Sequence, residues 1–333
     1  MLKFFRNIRK RNLNDKRIGK YLLYAIGEIA LVVIGILIAL NLNNHNEQRK
    51  MEVRVELIFE DIMKELAADI EQTNRLMHYW APRDTTIYLV QNQMVSEEDY
   101  KENEIPFINN LTGFFTSSNF TQNSYDILIQ NLEAIPPRFK SITQELNLHY
   151  KRWKWAVEDN TSKLSDLLIE LDNHSRKNHS WYSSFDETEL QKQIDYKLND
   201  FRYRNDVEAY RNIGMFGQLR LSIIYRKSAI NCYKNIANLL GKPLEHENFT
   251  VNREISTKLI GDWYDPANPE FKATFFIDDN RLYIKNNVNS NQAEVFYLRY
   301  RNKLLNDALE YFSILEENDE LILNHNKYSL KKL

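Results

Sequence analysis

The chain has 333 residues, with 44 Lys and Arg against 46 Asp and Glu (net charge −2), and a single cysteine, Cys232. One cysteine excludes an intrachain disulfide, and this length carries a conventional core without a stapled scaffold. Only 8 Gly and 7 Pro point to long helices with few tight turns.

The near-neutral total hides an asymmetry. Residues 1–20 hold eight Lys or Arg against Asp15 alone, a local charge of +7 that leaves −9 for the remainder. Leu2, Phe4, Phe5 and Ile8 interleave with Lys3, Arg6, Arg9, Lys10 and Arg11. This pattern suits either a short helix on anionic headgroups or a disordered basic tail. Nucleic acid is set aside as a partner because the basic run abuts an apolar span.

That span is Tyr21–Leu42, YLLYAIGEIALVVIGILIALNL, with Glu28 as its one ionisable side chain. At about 1.5 Å per residue it crosses a hydrocarbon core of about 30 Å. It is too long for the apolar core of a signal peptide, and Ile38-Ala39-Leu40-Asn41 lacks a small-x-small cleavage pattern. An uncleaved membrane helix with its basic leader in the cytoplasm is expected, and everything after it is exported.

Glu28 lies near the middle of the span, where a charge costs at least about 2.5–3.5 kcal/mol. Three readings stay open: pairing within an oligomer or with another membrane protein, proton coupling, or a tolerated neutral acid. Gly27, Gly35 and Ala39 recur at multiples of four and would allow close helix approach.

Beyond Asn46, apolar positions at Val55, Ile58/Phe59, Ile62, Leu66, Ile70, Thr73 and Leu76/Met77 step by three and four. They predict a helix continuing the span to Trp80 and ending at Pro82. A short helix near Thr85–Val95, an acidic turn from Glu97 to Glu104 and a brief helix Tyr125–Glu133 capped by Ser124 follow. Pro136-Pro137 opens a second long helix with the stripe Ile142, Leu146, Tyr150, Trp153, Val157, Leu164, Leu167/Leu168, Leu171. After a polar break over Asn173–Ser184, a third stripe runs from Val207 to Leu239 and stops at Gly241-Lys242-Pro243. Gly214, Gly217 and Ser228 on it suggest close helix approach, or for the glycines a kink. Three such helices predict an antiparallel bundle over 43–242.

From Ile255 the apolar period shifts to two. Seven short strands are expected between Lys258 and Leu333, with Asp- and Asn-rich turns, as a small antiparallel barrel or sandwich over 253–333. The fold class is therefore α+β: residues 1–20 a basic tail, 21–42 the span, then bundle and β-domain.

Residues MLKFFRNIRK and KYLLYAIGEIALVVIGILIALNLNNHNEQRK resemble the opening of the domain of unknown function 6090 family, single-pass membrane proteins widespread in Bacteroidetes. The resemblance covers residues 1–50 closely and the helical region to about Leu240 loosely. It implies an inner-membrane protein with a periplasmic helical domain, and no activity. Family members generally carry Trp where this chain has His45. The β-rich tail reads as an addition, and its Gly261-Asp262-Trp263 resembles the Gly-x-Trp of lipocalin-like barrels. The basic start, single span with one acid and exported domain also resemble the small subunit of proton-driven motors.

The remaining chemistry-bearing residues are scattered. His174 and His179 are five apart, wrong for one helical face, and read as a surface pair. Cys232 falls on a buried stripe and reads as core. Trp153, Trp155 and Trp181 either line a sugar or peptide groove or pack in the bundle. Glu97/Glu98 and Glu316/Glu317 read as solvated turns. No phosphate-cradling glycine loop or GxSxG elbow occurs. The expectation is a non-enzymatic, membrane-anchored periplasmic binding or scaffold protein without a cofactor or metal, forming a homo-oligomer or joining a partner membrane protein. The alternative is a ligand sensor or proton-motor-linked subunit working through Glu28.

Overall fold

The computed structural model describes residues 17–131, 135–184, 186–244, 253–278, 281–288, 292–298, 303–307, 311–317, 320–325 and 329–333. They are helical up to Leu259 and form strands thereafter, an α+β fold. By contacts the chain divides into two units, residues 1–57 with 131–136, and residues 58–130 with 137–333.

Helix α1 (Arg17–Gln91) contributes to both units. In the first unit the side chains of residues 25–50 are all exposed, including the apolar run to Leu42. The basic residues Lys3, Arg6, Arg9, Lys10 and Arg11 lie outside the described residues.

Pro82 does not end the helix. The ring removes one backbone donor, a loss confined to one turn. The flanking side chains hold that turn on both sides. Trp80 and Ile87 are buried, the Arg83 guanidinium donates to the Tyr79 carbonyl at 3.1 Å, and the same group lies between the Tyr79 and Phe107 rings. Burial of this amphipathic face outweighs one lost hydrogen bond, and the short helix expected near Thr85 merges into α1.

In the second unit, the acidic stretch is a helix, α2 (Glu97–Glu102), with Ser96 and Asp99 forming a reciprocal capping box. In α3 (Asn123–Ile129) Ser124 is not the cap. Its backbone N–H and hydroxyl donate instead to the Glu65 carboxylate of α1, at 3.1 and 2.9 Å. A turn at Pro137–Phe139 leads into α4 (Lys140–Leu148), a π-helical segment His149–Lys154, and α5 (Trp155–Asn178). Helix α6 (Glu187–Asn199), capped by Asp186, had no counterpart in the apolar stripes. The third stripe forms α7 (Phe201–Arg211), a second π segment Asn212–Leu219, and α8 (Arg220–Leu240), closed by Gly241 in the left-handed conformation.

Met77, Trp80, Leu164, Val207, Tyr210 and Leu219 belong to the main helical core. Gly214 and Gly217, inside the second π segment, are where helices come closest. A Cβ on Gly214 would stand 1.9 Å from the Trp80 ring, and one on Gly217 would stand 2.0 Å from Asn160 Oδ1. The close approach expected at these glycines occurs, within a π-helical segment.

After α9 (Arg253–Leu259), eight strands form a closed antiparallel barrel in chain order: β1 (Gly261–Asp265), β2 (Asn268–Asp278), β3 (Arg281–Asn286), β4 (Ala293–Leu298), β5 (Lys303–Asn306), β6 (Tyr311–Glu317), β7 (Glu320–Asn324) and β8 (Ser329–Lys332). Pairing of Trp263 with Lys332 and of Tyr264 with Lys331 closes β1 on β8, which removes sheet edges and decides for a barrel over a sandwich. Lys258 and Leu259, expected in the first strand, are helical. Leu259 seals the barrel core of Trp263, Phe275, Val295, Leu304, Phe312 and Leu330, and its carbonyl accepts from the Trp263 indole at 2.8 Å. Strand β5 was not foreseen, being four residues long.

Candidate functional site

Glu28, Gly27, Gly35 and Ala39 are all exposed on α1. A Cβ on Gly27 or Gly35 would meet nothing within 4 Å, so the chain itself does not use these small residues for packing. Glu28 has no hydrogen-bonding or ionic partner among the described residues. The four are presented together on an apolar helix surface, available to lipid or to another chain.

A second concentration of polar chemistry is buried between α1, the α4–α5 stretch and α8. Asp69 of α1 is fully buried and accepts a short hydrogen bond from the Tyr225 hydroxyl and one from the Thr121 N–H at 3.2 Å. Burial pushes its carboxyl up to about 7 against the pull of both hydrogen bonds. Phe120 and His149 both lie against the Tyr225 ring, with centroids at 3.9 and 4.3 Å. His149 opens the first π segment, its Nδ1 3.1 Å from the Ser228 hydroxyl, and burial pushes it down to about 3. Its Nε2 and the neighbouring Tyr150 hydroxyl are buried without a hydrogen-bond partner. A carboxyl pushed up and an imidazole pushed down by burial thus flank the same tyrosine.

A third concentration joins bundle to barrel. Glu294 of β4 is buried between two guanidiniums, Arg226 Nη1 of α8 at 2.7 Å and Arg281 Nη1 of β3 at 3.4 Å. Arg226 also donates to Asn74 at 3.0 Å and lies over the Phe296 ring. Lys227 pairs with Asp307 at 2.5 Å, and Lys303 donates to Thr85 at 2.6 Å. Burial raises the Asp84 carboxyl, with Lys303 and Arg211 opposing. Phe296 and Leu305 of the barrel enter the helical core, so polar and apolar contacts fasten the same face.

The other sequence candidates divide. His174 and His179 do come together, with ring centroids at 5.6 Å, but half-buried rather than on the open surface; His179 is stacked on Trp181. Cys232 is buried, and burial raises its thiol to about 12. Trp153 packs beside Tyr225 and lines a shallow groove of about 480 Å³ that also reaches Ser228 and Cys232. Trp155 is 62% exposed, in neither core nor groove. Trp181 lines a separate cleft. Glu97 and Glu98 sit in the first turn of α2, and Glu316 and Glu317 in β6. Asp69, His149, Arg226 and Glu294 were missed. The burial of each depends on partners remote in sequence, Tyr225 for Asp69, Ser228 and Tyr225 for His149, and Arg226 for Glu294.

No curated protein and no solved structure matches the chain. The matched family region takes in Glu28, Asp69 and His149 but stops before Tyr225, Arg226 and the barrel. Residues 28–168 match the Family of unknown function (DUF6090), the family that the N-terminal signature resembles.

Proposed function

We propose that the protein is a non-enzymatic, single-pass membrane-anchored binding or scaffold protein of the cell envelope, with its basic N-terminus in the cytoplasm and the bundle and barrel in the periplasm. One observation carries this reading. The helix segment from Ala25 has a window of mean hydropathy 2.4 with none of it buried, and its large apolar side chains from Ile26 to Leu42 are each about half exposed or more. In water such a surface is a standing aggregation liability, and in lipid it is satisfied. The flanking charge of +7 on residues 1–20 gives the orientation. The buried ionisable groups support a structural role, since Asp69 is held by Tyr225 and Thr121, and Glu294 by Arg226 and Arg281. Protease added to intact spheroplasts should digest a C-terminal tag while a cytoplasmic control stays whole, and alkaline carbonate should leave the chain in the pellet. A protected tag, or a mature product beginning after Leu42, overturns the proposal.

Glu28 favours a second reading, in which the protein works with a partner membrane protein in sensing or proton coupling. The variants Glu28→Gln and Glu28→Ala separate the two. Under the scaffold reading Glu28→Gln keeps a hydrogen bond and retains crosslinked partners, whereas Glu28→Ala loses them. Under proton coupling both variants lose function alike.

A further inference from the structure

Residues of α5, the turn Ser180–Ser183 and α6 enclose a cleft of about 430 Å³, within the range of small-molecule sites. One wall is the Trp181 indole. Its ring is stacked on His179 at 4.0 Å and 13°, with Tyr196 at 5.5 Å, so the platform is held in place before any ligand arrives. Leu168, Leu171 and Leu190 supply an apolar patch in the same cleft. Between these stand Thr112, Ser175 and Gln193, whose side chains make no hydrogen bond with any described residue. Hydroxyls and a carboxamide each donate and accept, which is the character of a sugar hydroxyl. Asp172 is the one carboxylate among the described residues lining the cleft, and it accepts from the Tyr182 hydroxyl at 2.9 Å. No Lys or Arg is among the described residues lining it, which disfavours a phosphate or carboxylate ligand.

We propose that this cleft binds a neutral saccharide bearing an acetamido group. The C–H face of a pyranose ring packs on Trp181, its hydroxyls engage Thr112, Ser175, Gln193 and the free acceptor capacity of Asp172, and the acetamido methyl meets the leucine patch. This names the ligand class for the binding role proposed above and rests on that reading. The two fail separately, because topology and ligand occupancy are measured apart.

The full chain in lipid nanodiscs, free of glycoside detergents that would compete, is titrated calorimetrically with chitotriose, and in parallel with maltotriose, which lacks the acetamido group. Chitotriose gives a saturable signal, and maltotriose binds weaker by about tenfold or more. Gln193→Ala and Trp181→Ala each weaken chitotriose by about tenfold. Trp181→Phe, which keeps an aromatic face against His179, retains most of the affinity and guards against a folding artefact. Silence with chitotriose, equal binding of maltotriose, or affinity untouched by both Gln193→Ala and Trp181→Ala overturns the proposal.

Discussion

At the scale of single residues, Asp69 and His149 oppose one another in their dependence on pH. The folded value of about 7 for Asp69 lies above its ordinary 3.8, so between those values the native state holds a proton that the unfolded chain has released. Stability from this group falls as pH rises through that window and levels off above it. The folded value of about 3 for His149 lies below its ordinary 6.5, so over nearly the same window the unfolded chain takes up a proton that the native state excludes. Stability from His149 therefore rises with pH. Each slope is at most about 1.4 kcal/mol per pH unit, and the two largely cancel between about pH 4 and 6.5. The wild-type melting temperature should be nearly flat there. Asp69→Asn should unmask a rise with pH, and His149→Gln a fall; thermal melts at four pH values check both, and parallel curves for all three proteins would refute the pairing. A sequence shows Asp69 as one more polar residue beside Ile70. Its burial follows from Tyr225, which is 156 positions away.

At the scale of elements, the two π segments and the bundle–barrel joint set the expectations. Gly214 admits the Trp80 ring where any Cβ would collide with it, so Gly214→Ala should cost at least about 1–3 kcal/mol, read as a lower urea midpoint. Glu294→Gln leaves Arg226 and Arg281 facing a neutral amide, and should cost about 3–5 kcal/mol. The triple change Arg226→Met, Arg281→Met, Glu294→Leu should recover much of that loss. Hydrogen exchange should show the single variant losing protection first on α8, β3 and β4. The helices were legible because stripes such as Ile142 to Leu171 repeat every three or four residues, and Gly241 marks a stop. The passage through Pro82 was not legible, because the proline is a local signal whereas the burial of Trp80 and Ile87 is tertiary. The short strand β5 and helix α6 were not, since β5 offers only Leu304 and Leu305 side by side and the α6 stripe of Leu190, Ile194 and Leu198 is sparse among charged and amide side chains.

At the scale of the whole molecule, the sequence made the α+β class and the apolar N-terminal span plain, since both rest on composition over twenty residues or more. Neither of the sites that tie the second unit together was visible, because each unites residues from segments that read as unrelated. Nor did the sequence distinguish barrel from sandwich, a choice made by Trp263 meeting Lys332 across the whole strand order. If Glu28 and its neighbouring small residues contact another chain, Glu28→Ala should shift the detergent-solubilised particle to a smaller mass in light scattering, whereas Arg83→Lys in the second unit should not.

Closure of β1 on β8 has a consequence for biogenesis. The ring cannot complete until its eighth strand has emerged, and until then β1 and β7 each present an unsatisfied flank. During synthesis the helices are made first, so Arg226 and the surface later covered by Phe296 and Leu305 wait uncovered for the final strands. Deleting Ser329–Lys332 should therefore yield a chain whose helices form but which binds chaperones and is cleaved rapidly by proteases.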